Sequence, residues 1–246
     1  ANIVATLELA GIPFTGSSFR THVMAIHKHL TKFIMEMSDI PTPGFCVVDA
    51  NRKMPSSERL AGLKTPIIVK PGAEGSSLGI SSDSVTSDLT KVPELVKDLL
   101  ERFGPPVLIE EYIAGREFTV GLLGYPEPTV MPVQEAVFNE ESMYTYSVKA
   151  RDSAAPVCPA EIPENLASRL QMMAKKVFEA LDCRDLARVD IRLSDDGCPY
   201  VLEVNTLPGL MPGYSDFPRV ARVAGLDYTA MVQRILEGAL LRKSAS

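Results

Sequence analysis

The sequence is poor in the residues that build disulfide frameworks, zinc sites and nucleic-acid surfaces. It contains no tryptophan, three histidines and four cysteines. The cysteines form no C-x-x-C pair, which excludes a zinc knuckle or a dense disulfide framework and favours a reducing cytoplasm. The net charge of −6 argues against a positively charged surface that binds nucleic-acid phosphates. We therefore expect small molecules, and no nucleic acid, as partners.

Long hydrophobic runs are also missing. No stretch approaches the roughly 18 consecutive apolar residues of a membrane-spanning helix, so we expect no membrane partner. What is present is an ordinary globular composition, with 46% hydrophobic and 23% charged residues among 246. A chain of this length forms one large domain or two small ones.

Helix and strand patterns are mixed along the chain. Apolar residues three and four apart predict helices over 18–37, 92–103, 164–181 and about 228–242. Runs of β-branched residues predict strands at 66–70, 107–113, 116–123, 130–138, 187–193 and 200–205. Turn signals separate the strands between 107 and 138, which predicts antiparallel neighbours and an α+β fold. We expect a subdomain boundary near residue 107.

Three oxygen-bearing side chains lie on two predicted strands near the end of the chain. Glu203 and Asn205 are two residues apart on one strand and so face the same side, while Leu202 and Val204 pack behind. If the strand that carries Asp190 is the neighbour, the three side chains converge. Such hard oxygen ligands suit Mg²⁺. The alternative is a polar, solvent-facing hairpin.

A lysine and a glycine-rich loop follow one another at 67–79. Lys70 ends a predicted strand, and the loop Gly72–Gly79 contains Ser76 and Ser77. Backbone N–H groups of such a loop can close on phosphate oxygens, with the lysine as a point charge. The loop has neither the Walker A ending nor the G-x-G-x-x-G spacing. A plain surface hairpin is the alternative.

An acidic pair and a third glutamate follow on the next two predicted strands. Glu110 and Glu111 could accept hydrogen bonds from an adenine amino group, and Glu117 from ribose hydroxyls. Each glutamate by itself could also be merely solvated. The three histidines all fall in the first predicted helix, where we interpret them as surface or boundary residues.

Together these segments resemble the ATP-grasp superfamily and, within it, the D-alanine–D-alanine ligases and their relatives. The resemblance covers most of the chain and rests on motifs in a fixed order. They are the motif at 11–16, the helix with Lys28 and Lys32, 69–71 with 74–77, 110–112, 115–120, 158–160, 188–190 and 203–209.

This resemblance implies an ATP-grasp fold, with two α+β subdomains that grip the nucleotide between antiparallel sheets. Residues 1–22 would be the remnant of a junction to an N-terminal domain. Residues 23–106 would form the central subdomain with the phosphate loop, and 107–246 the C-terminal subdomain with the metal site. The implied activity is ATP-dependent joining of two amino acids through an acyl phosphate, with release of ADP and phosphate. In this family the reaction serves peptidoglycan synthesis.

The resemblance also implies roles for individual residues. Lys28 and Lys70 would contact the phosphates, the strand Glu110, Glu111, Tyr112 and Ile113 the adenine, and Glu117 the ribose. Ser76 and Ser77 would close over the site, and Lys149 would contact the transferring phosphoryl group. Asp190, Glu203 and Asn205 would hold Mg²⁺ or Mn²⁺. Arg188 with the backbone near Gly209 would stabilise the oxyanion, and Ser215 would bind the second substrate's carboxylate.

Two departures from the family pattern leave the substrate open. Ligases of this family carry an N-terminal domain whose glutamate holds the first substrate's ammonium group, and here the chain enters almost directly at the Gly11 motif. Ala150 follows Lys149, where the family's mobile loop places a tyrosine. D-alanine remains the first candidate substrate. The alternative is a non-catalytic or partner-dependent ATP-binding module, as a homodimer or with a separate N-terminal partner chain.

Overall fold

The computed structural model describes residues 1–75, 78–138 and 154–244. Within these ranges the α-helices are α1 (Asn2–Leu9), α2 (Phe19–Ile26), α3 (Lys28–Met37), α4 (Ser57–Ala61), α5 (Val92–Arg102), α6 (Glu164–Ala180), α7 (Asp216–Val223) and α8 (Tyr228–Ser244). The strands are β1 (Phe45–Val48), β2 (Ile67–Pro71), β3 (Val85–Thr86), β4 (Val107–Glu111), β5 (Arg116–Gly124), β6 (Thr129–Val130), β7 (Gln134–Phe138), β8 (Ala154–Val157), β9 (Asp185–Leu193) and β10 (Pro199–Asn205).

The strands form two antiparallel sheets, which confirms the predicted α+β class. The first sheet has the order β1-β4-β2-β3, and α5 packs against one face. Its core contains Val69 and Ile109 from the strands and Val96 from the helix. Burial of this apolar face stabilises the layer by roughly 25 cal/mol per Å² removed from water.

The second sheet has the order β10-β9-β5-β7-β8, with β6 paired to β5. One face packs on α6 through a core that includes Phe118, Val189 and Val177. The opposite face is apolar at one end only, where α7 and α8 cover Leu123 and Leu186. The other end of that face is polar, and it is left open toward the first sheet.

The predicted helix over 18–37 is wrong in one respect, because the structure breaks it at His27. The N–H of Lys28 donates to the carbonyl of Gly72, 2.8 Å away, instead of continuing the ladder of α2. The remaining three predicted helices are confirmed within a few residues. The break gives α3 its own direction and brings its first residue to the glycine-rich loop.

The prediction of antiparallel neighbours along 107–138 is wrong for β4 and β5. β4 lies between β1 and β2 in the first sheet, whereas β5 lies in the second. The chain changes sheet between Glu111 and Arg116, at a turn where Gly115 has φ +109°. A Cβ at Gly115 would collide with the carbonyl oxygen of Leu193, so only glycine fits there. Local strand patterns do not show such a change, because both sheets need the same alternation.

Within the described ranges, no helix combines the length and the apolar composition needed to cross a membrane.

Candidate functional site

A cleft lies between the two sheets, and most of the sequence-predicted site residues line it. They are Lys28, Lys70, Glu110, Glu111, Tyr112, Ile113, Glu117, Asp190 and Glu203. Ser76, Ser77 and Lys149 lie outside the described residues. The cleft therefore brings together residues from both sheets and from the start of α3.

Asp190, Glu203 and Asn205 converge as the strand pattern predicted. Asp190 and Glu203 are direct partners across β9 and β10. The Asn205 Nδ2 lies 3.0 Å from Asp190 Oδ2 and 3.3 Å from Glu203 Oε1. Asp190 Oδ1 also accepts a hydrogen bond from the Thr119 hydroxyl at 2.8 Å. The three side chains thus share one small volume, in which the amide nitrogen of Asn205 is directed at the two carboxylates.

The prediction that Leu202 packs behind the strand is wrong. The register of β10 shifts between Val201 and Glu203, and both Leu202 and Glu203 line the cleft. Such a β-bulge inserts one extra residue into the strand, so that two successive side chains project to the same side of the sheet. Leu202 therefore gives the cleft an apolar patch next to the carboxylates of Asp190 and Glu203, which we call the acidic cluster.

This donor set fits a hard divalent cation that keeps other ligands. No three His, Cys, Asp or Glu side chains gather around a common metal position in the described parts of the chain. Asp190 and Glu203 supply two carboxylates, and Asn205 supplies an amide. Mg²⁺ requires six oxygen ligands and usually retains waters or phosphate oxygens. Two carboxylates and an amide are therefore a partial shell of the kind a nucleotide completes.

Two cations, Arg188 and Lys28, pair with the carboxylates of the acidic cluster. Arg188 donates through Nε and Nη2 to both oxygens of Asp190, at 2.9 and 2.8 Å, and lies 3.6 Å from Asp216. Burial alone would lower the pKa of Arg188, but the charges of Asp190, Asp216 and Glu203 outweigh it and raise the pKa. Arg188 thus stays charged within reach of the cleft.

Lys28 pairs with the other carboxylate of the acidic cluster, that of Glu203. Its Nζ lies 3.2 Å from Glu203 Oε2 and donates to the carbonyl of Glu74 at 2.5 Å. Glu74 belongs to the glycine-rich loop, so Lys28 connects the loop to the second sheet. A triphosphate entering the cleft would meet this ammonium group between the loop and the carboxylates.

A second ionic cluster, which we call the floor cluster, consists of Glu110 and Lys70 from the first sheet and Lys32 from α3, and it is almost completely buried. Glu110 pairs with Lys70 through one oxygen and with Lys32 through the other, the latter at 2.7 Å. Burial alone would raise the pKa of Glu110, but the two lysines outweigh it and lower the pKa. Burial lowers the pKa of Lys32, which the charge of Glu110 opposes. Lys32 also donates to the Thr42 hydroxyl at 2.7 Å.

Glu111 faces the other way. Successive side chains alternate along β4, so Glu110 points into the cleft and Glu111 toward the opposite face. Glu111 Oε1 accepts a hydrogen bond from the N–H of Lys64 at 2.9 Å, beside Gly44. Only the backbone of Glu111 is thus oriented toward a ligand in the cleft.

Glu117 also lines the cleft and forms a salt bridge with Arg192. Arg192 Nε and Nη2 lie 3.1 and 3.0 Å from Glu117 Oε2. Arg192 Nη1 donates to the Tyr112 hydroxyl and to the carbonyl of Ile113. Base-facing and ribose-facing residues of the prediction are therefore joined by one side chain.

Gly209 and Ser215 are placed against each other in the segment between β10 and α7. Ser215 Oγ accepts a hydrogen bond from the N–H of Met211 at 3.1 Å. A Cβ on Gly209 would lie 2.7 Å from that hydroxyl, so any other residue there would displace the Ser215 side chain.

Thr206, just before this segment, bonds His22 Nδ1 at 2.7 Å. His22 is buried, so its interpretation as a surface or boundary residue is wrong.

Sequence reasoning gave no role to Lys32 or Arg192. Lys32 follows Lys28 by one helical turn, and Arg192 follows Asp190 by two strand positions. Both spacings place the residue on the same side as its predicted neighbour. The signal was present in the spacing, but a basic residue at such a position is usually solvated, and only the pairing across elements distinguishes the two cases.

Comparisons with known proteins agree with this geometry. The family model described as D-ala D-ala ligase C-terminus matches residues 34–237. The D-alanine–D-alanine ligase of Syntrophotalea carbinolica is 40% identical over 243 residues, which cover 96% of this chain and 73% of the relative. That of Pelotomaculum thermopropionicum is 34% identical over 245 residues, covering 97% and 75%. The uncharacterised protein y4sG of Sinorhizobium fredii is 35% identical over 240 residues, covering 96% and 69%.

A solved structure shows the same fold. The D-alanine–D-alanine ligase of Bacillus anthracis, described as complexed with ATP, matches with a TM-score of 0.84 at 28% identity. The match covers 100% of this chain and 77% of that one. With the family model spanning well over half of the residues, these findings show that the chain belongs to the D-alanine–D-alanine ligase family of ATP-dependent ligases.

Proposed function

We propose that this chain joins two amino acids, with D-alanine as first candidate, in a reaction that consumes ATP and releases ADP and phosphate. The observation that carries the proposal is the cleft, where Lys28 and Lys70 face the same space as Asp190 and Glu203. Lysines attract the oxygens of a triphosphate. The carboxylates, with Asn205, supply the hard oxygen ligands of Mg²⁺ or Mn²⁺.

In the first step, a carboxylate oxygen of one amino acid forms a bond to the γ-phosphorus. The bond between that phosphorus and the oxygen bridging to the β-phosphate breaks, and ADP leaves. Lys28 and Lys70 neutralise the charge on the phosphate oxygens. Divalent cations held by Asp190, Glu203 and Asn205 would supply further neutralisation of the β- and γ-phosphates. By resemblance, Ser76, Ser77 and Lys149 complete the site around the transferring group.

In the second step, the amine of the other amino acid attacks the acyl carbon. Phosphate leaves and the amine loses a proton, which gives the peptide bond. Arg188 is held by Asp190 in a bidentate pair and stabilises the oxyanion together with the backbone near Gly209. A well-placed donor of this kind is worth roughly 3 to 4 kcal/mol. Ser215 binds the carboxylate of the attacking amino acid.

The nucleotide base and sugar occupy the other end of the cleft in this proposal. The adenine lies against the strand end from Glu110 to Ile113, and the ribose against Glu117. Glu111 contributes its backbone, because its side chain is bonded to the N–H of Lys64. Tyr112 and Ile113 stand next to Glu117 through their common contact with Arg192.

The test is ADP formation by the purified protein with ATP and magnesium. We expect ADP release to rise on addition of D-alanine above the rates without amino acid and with L-alanine. A calorimetric titration of ATP, with and without magnesium, should lose its magnesium-dependent part in Glu203→Ala and keep it in the control Glu111→Gln. If no amino acid of either hand raises ADP formation, the ligase proposal fails.

Nucleotide binding without turnover would instead favour a partner-dependent ATP-binding module. Restored turnover on addition of a separate chain with the first-substrate glutamate would identify that module. A homodimer is the other assembly we propose to test, by light scattering of the purified protein. The division into a junction at 1–22 and subdomains at 23–106 and 107–246 also remains a proposal, and limited proteolysis between the two subdomains tests it.

A further inference from the structure

Arg192 is a buried cation to which the proposed reaction gives no role. It follows Asp190 by two residues on β9 and lines the same cleft. Its side chain is only 10% exposed. A buried guanidinium carries five N–H donors that need partners, so the partners show what this residue holds in place.

The partners of Arg192 are three residues of the nucleotide end of the cleft. Nε and Nη2 reach Glu117 Oε2 at 3.1 and 3.0 Å. Nη1 donates to the Tyr112 hydroxyl at 3.2 Å and to the Ile113 carbonyl at 2.9 Å. The guanidinium also lies 5.4 Å from the centre of the Tyr112 ring.

These contacts cross from one sheet to the other. Glu117 lies on β5 in the second sheet, whereas Tyr112 and Ile113 follow β4 of the first sheet. Both N–H groups directed at Glu117 meet the same carboxylate oxygen, and Glu117 and Arg192 are direct partners across β5 and β9. This pair of contacts fixes the orientation of the Glu117 carboxylate.

The geometry points to Arg192 as the positioning residue of the ribose site, which aims the carboxylate of Glu117 at the ribose hydroxyls and ties it to the base-facing segment. This inference rests on the proposed role of Glu117. A purely structural tie between the sheets would weaken the binding of every nucleotide equally. A positioning role changes the preference for nucleotides that carry both ribose hydroxyls.

The experiment measures dissociation constants of ATP, 2′-deoxy-ATP and 3′-deoxy-ATP by calorimetry with magnesium. We expect the wild-type protein to prefer ATP, and Arg192→Met to reduce that preference about tenfold, as Glu117→Gln does, because a hydrogen bond to a charged group is lost. The double variant should lose no more than either single one, since both remove the same contact. Arg192→Lys keeps the charge with fewer donors and should retain part of the preference.

Arg116→Met is the matched control, because Arg116 grips Glu135 of the same sheet at 2.6 and 2.7 Å. It should leave the preference for ATP unchanged. If Arg192→Met keeps the wild-type preference for ATP while Glu117→Gln loses it, the inference is wrong and the ribose role of Glu117 stands. Where Arg192→Met does not fold, Arg192→Lys takes its place in this comparison. If the wild-type protein binds all three nucleotides equally, the ribose role fails and the inference with it. Binding is measured without amino acids, so a missing ligase activity would refute only the proposed reaction.

Discussion

The cleft contains two ionic clusters that differ in burial and in charge balance. In the floor cluster, Lys32 and Glu110 are 1% and 2% exposed, and Lys70 completes a group of two cations around one anion. In the acidic cluster, Asp190 and Glu203 are 7% and 22% exposed, with Lys28 and Arg188 as counter-ions. Lys70, at 9%, and Glu110 still line the cleft, so the contrast lies between the buried Lys32–Glu110 pair and the more exposed Glu203.

This difference assigns different tasks to the two clusters. Removing a charge from a buried, paired group leaves its partner buried without a counter-charge, so we expect the Lys32–Glu110 pair to stabilise the first sheet. The partly exposed carboxylate of Glu203 loses less when its partner changes, because water and ligands replace that partner. Glu203 is therefore suited to exchange Lys28 for a cation and phosphate oxygens. The predictions below test this division from the largest expected effect to the smallest.

Glu110→Gln should produce the largest loss of stability. It leaves Lys32 buried without its carboxylate, and breaking a buried pair costs about 3–5 kcal/mol. Urea unfolding followed by circular dichroism measures the loss. The double variant Lys32→Met with Glu110→Gln should recover part of it. A loss below about 1 kcal/mol in the single variant would show that the Lys32–Glu110 pair does not stabilise the first sheet.

Glu203→Gln should affect function more than folding. The side chain is partly exposed, so we expect the free energy of unfolding to change by less than about 1 kcal/mol. Magnesium dependence should change more, with roughly 10–100-fold more magnesium needed for half-maximal ATP binding or turnover. A titration of magnesium at fixed ATP checks this. Equal magnesium dependence in both proteins would contradict the proposed metal site.

Acid should remove the contribution of Glu110 to the free energy of unfolding. The folded protein lowers the pKa of Glu110 below its ordinary value of 4.5. Its stabilising contribution is therefore fully present above that value and is lost as the pH falls through the lower, folded-state pKa. Unfolding free energies measured between pH 6 and about pH 3 should fall less steeply in Glu110→Gln than in the wild-type protein. Parallel curves would assign the acid sensitivity to other carboxylates.

Glu111→Gln should have the smallest effect. The side chain accepts a hydrogen bond from the Lys64 N–H on the face away from the cleft, and a neutral amide can accept the same bond. We expect less than about 1 kcal/mol of stability change and an unchanged KM for ATP. A large rise in that KM would show that the side chain reaches the nucleotide after all.

Local patterns predicted most of the secondary structure and the meeting of Asp190, Glu203 and Asn205. The strand period of two places Glu203 and Asn205 on one face, and the short turn to β9 brings Asp190 opposite. No local pattern predicted the bulge that turns Leu202 into the cleft. Neither did one predict the break at His27, which depends on a hydrogen bond to Gly72 from a distant part of the chain.

By itself, the sequence determined the α+β class, the chemistry available on each strand and the resemblance to the ATP-grasp ligases. Those properties follow from residue type and spacing over a few positions. Only the tertiary structure decided that β4 joins the first sheet, that Glu110 is shared by Lys32 and Lys70, and that Arg192 grips Glu117. The physical reason is that a charged side chain chooses its partner by burial and distance, which arise when separate elements pack together.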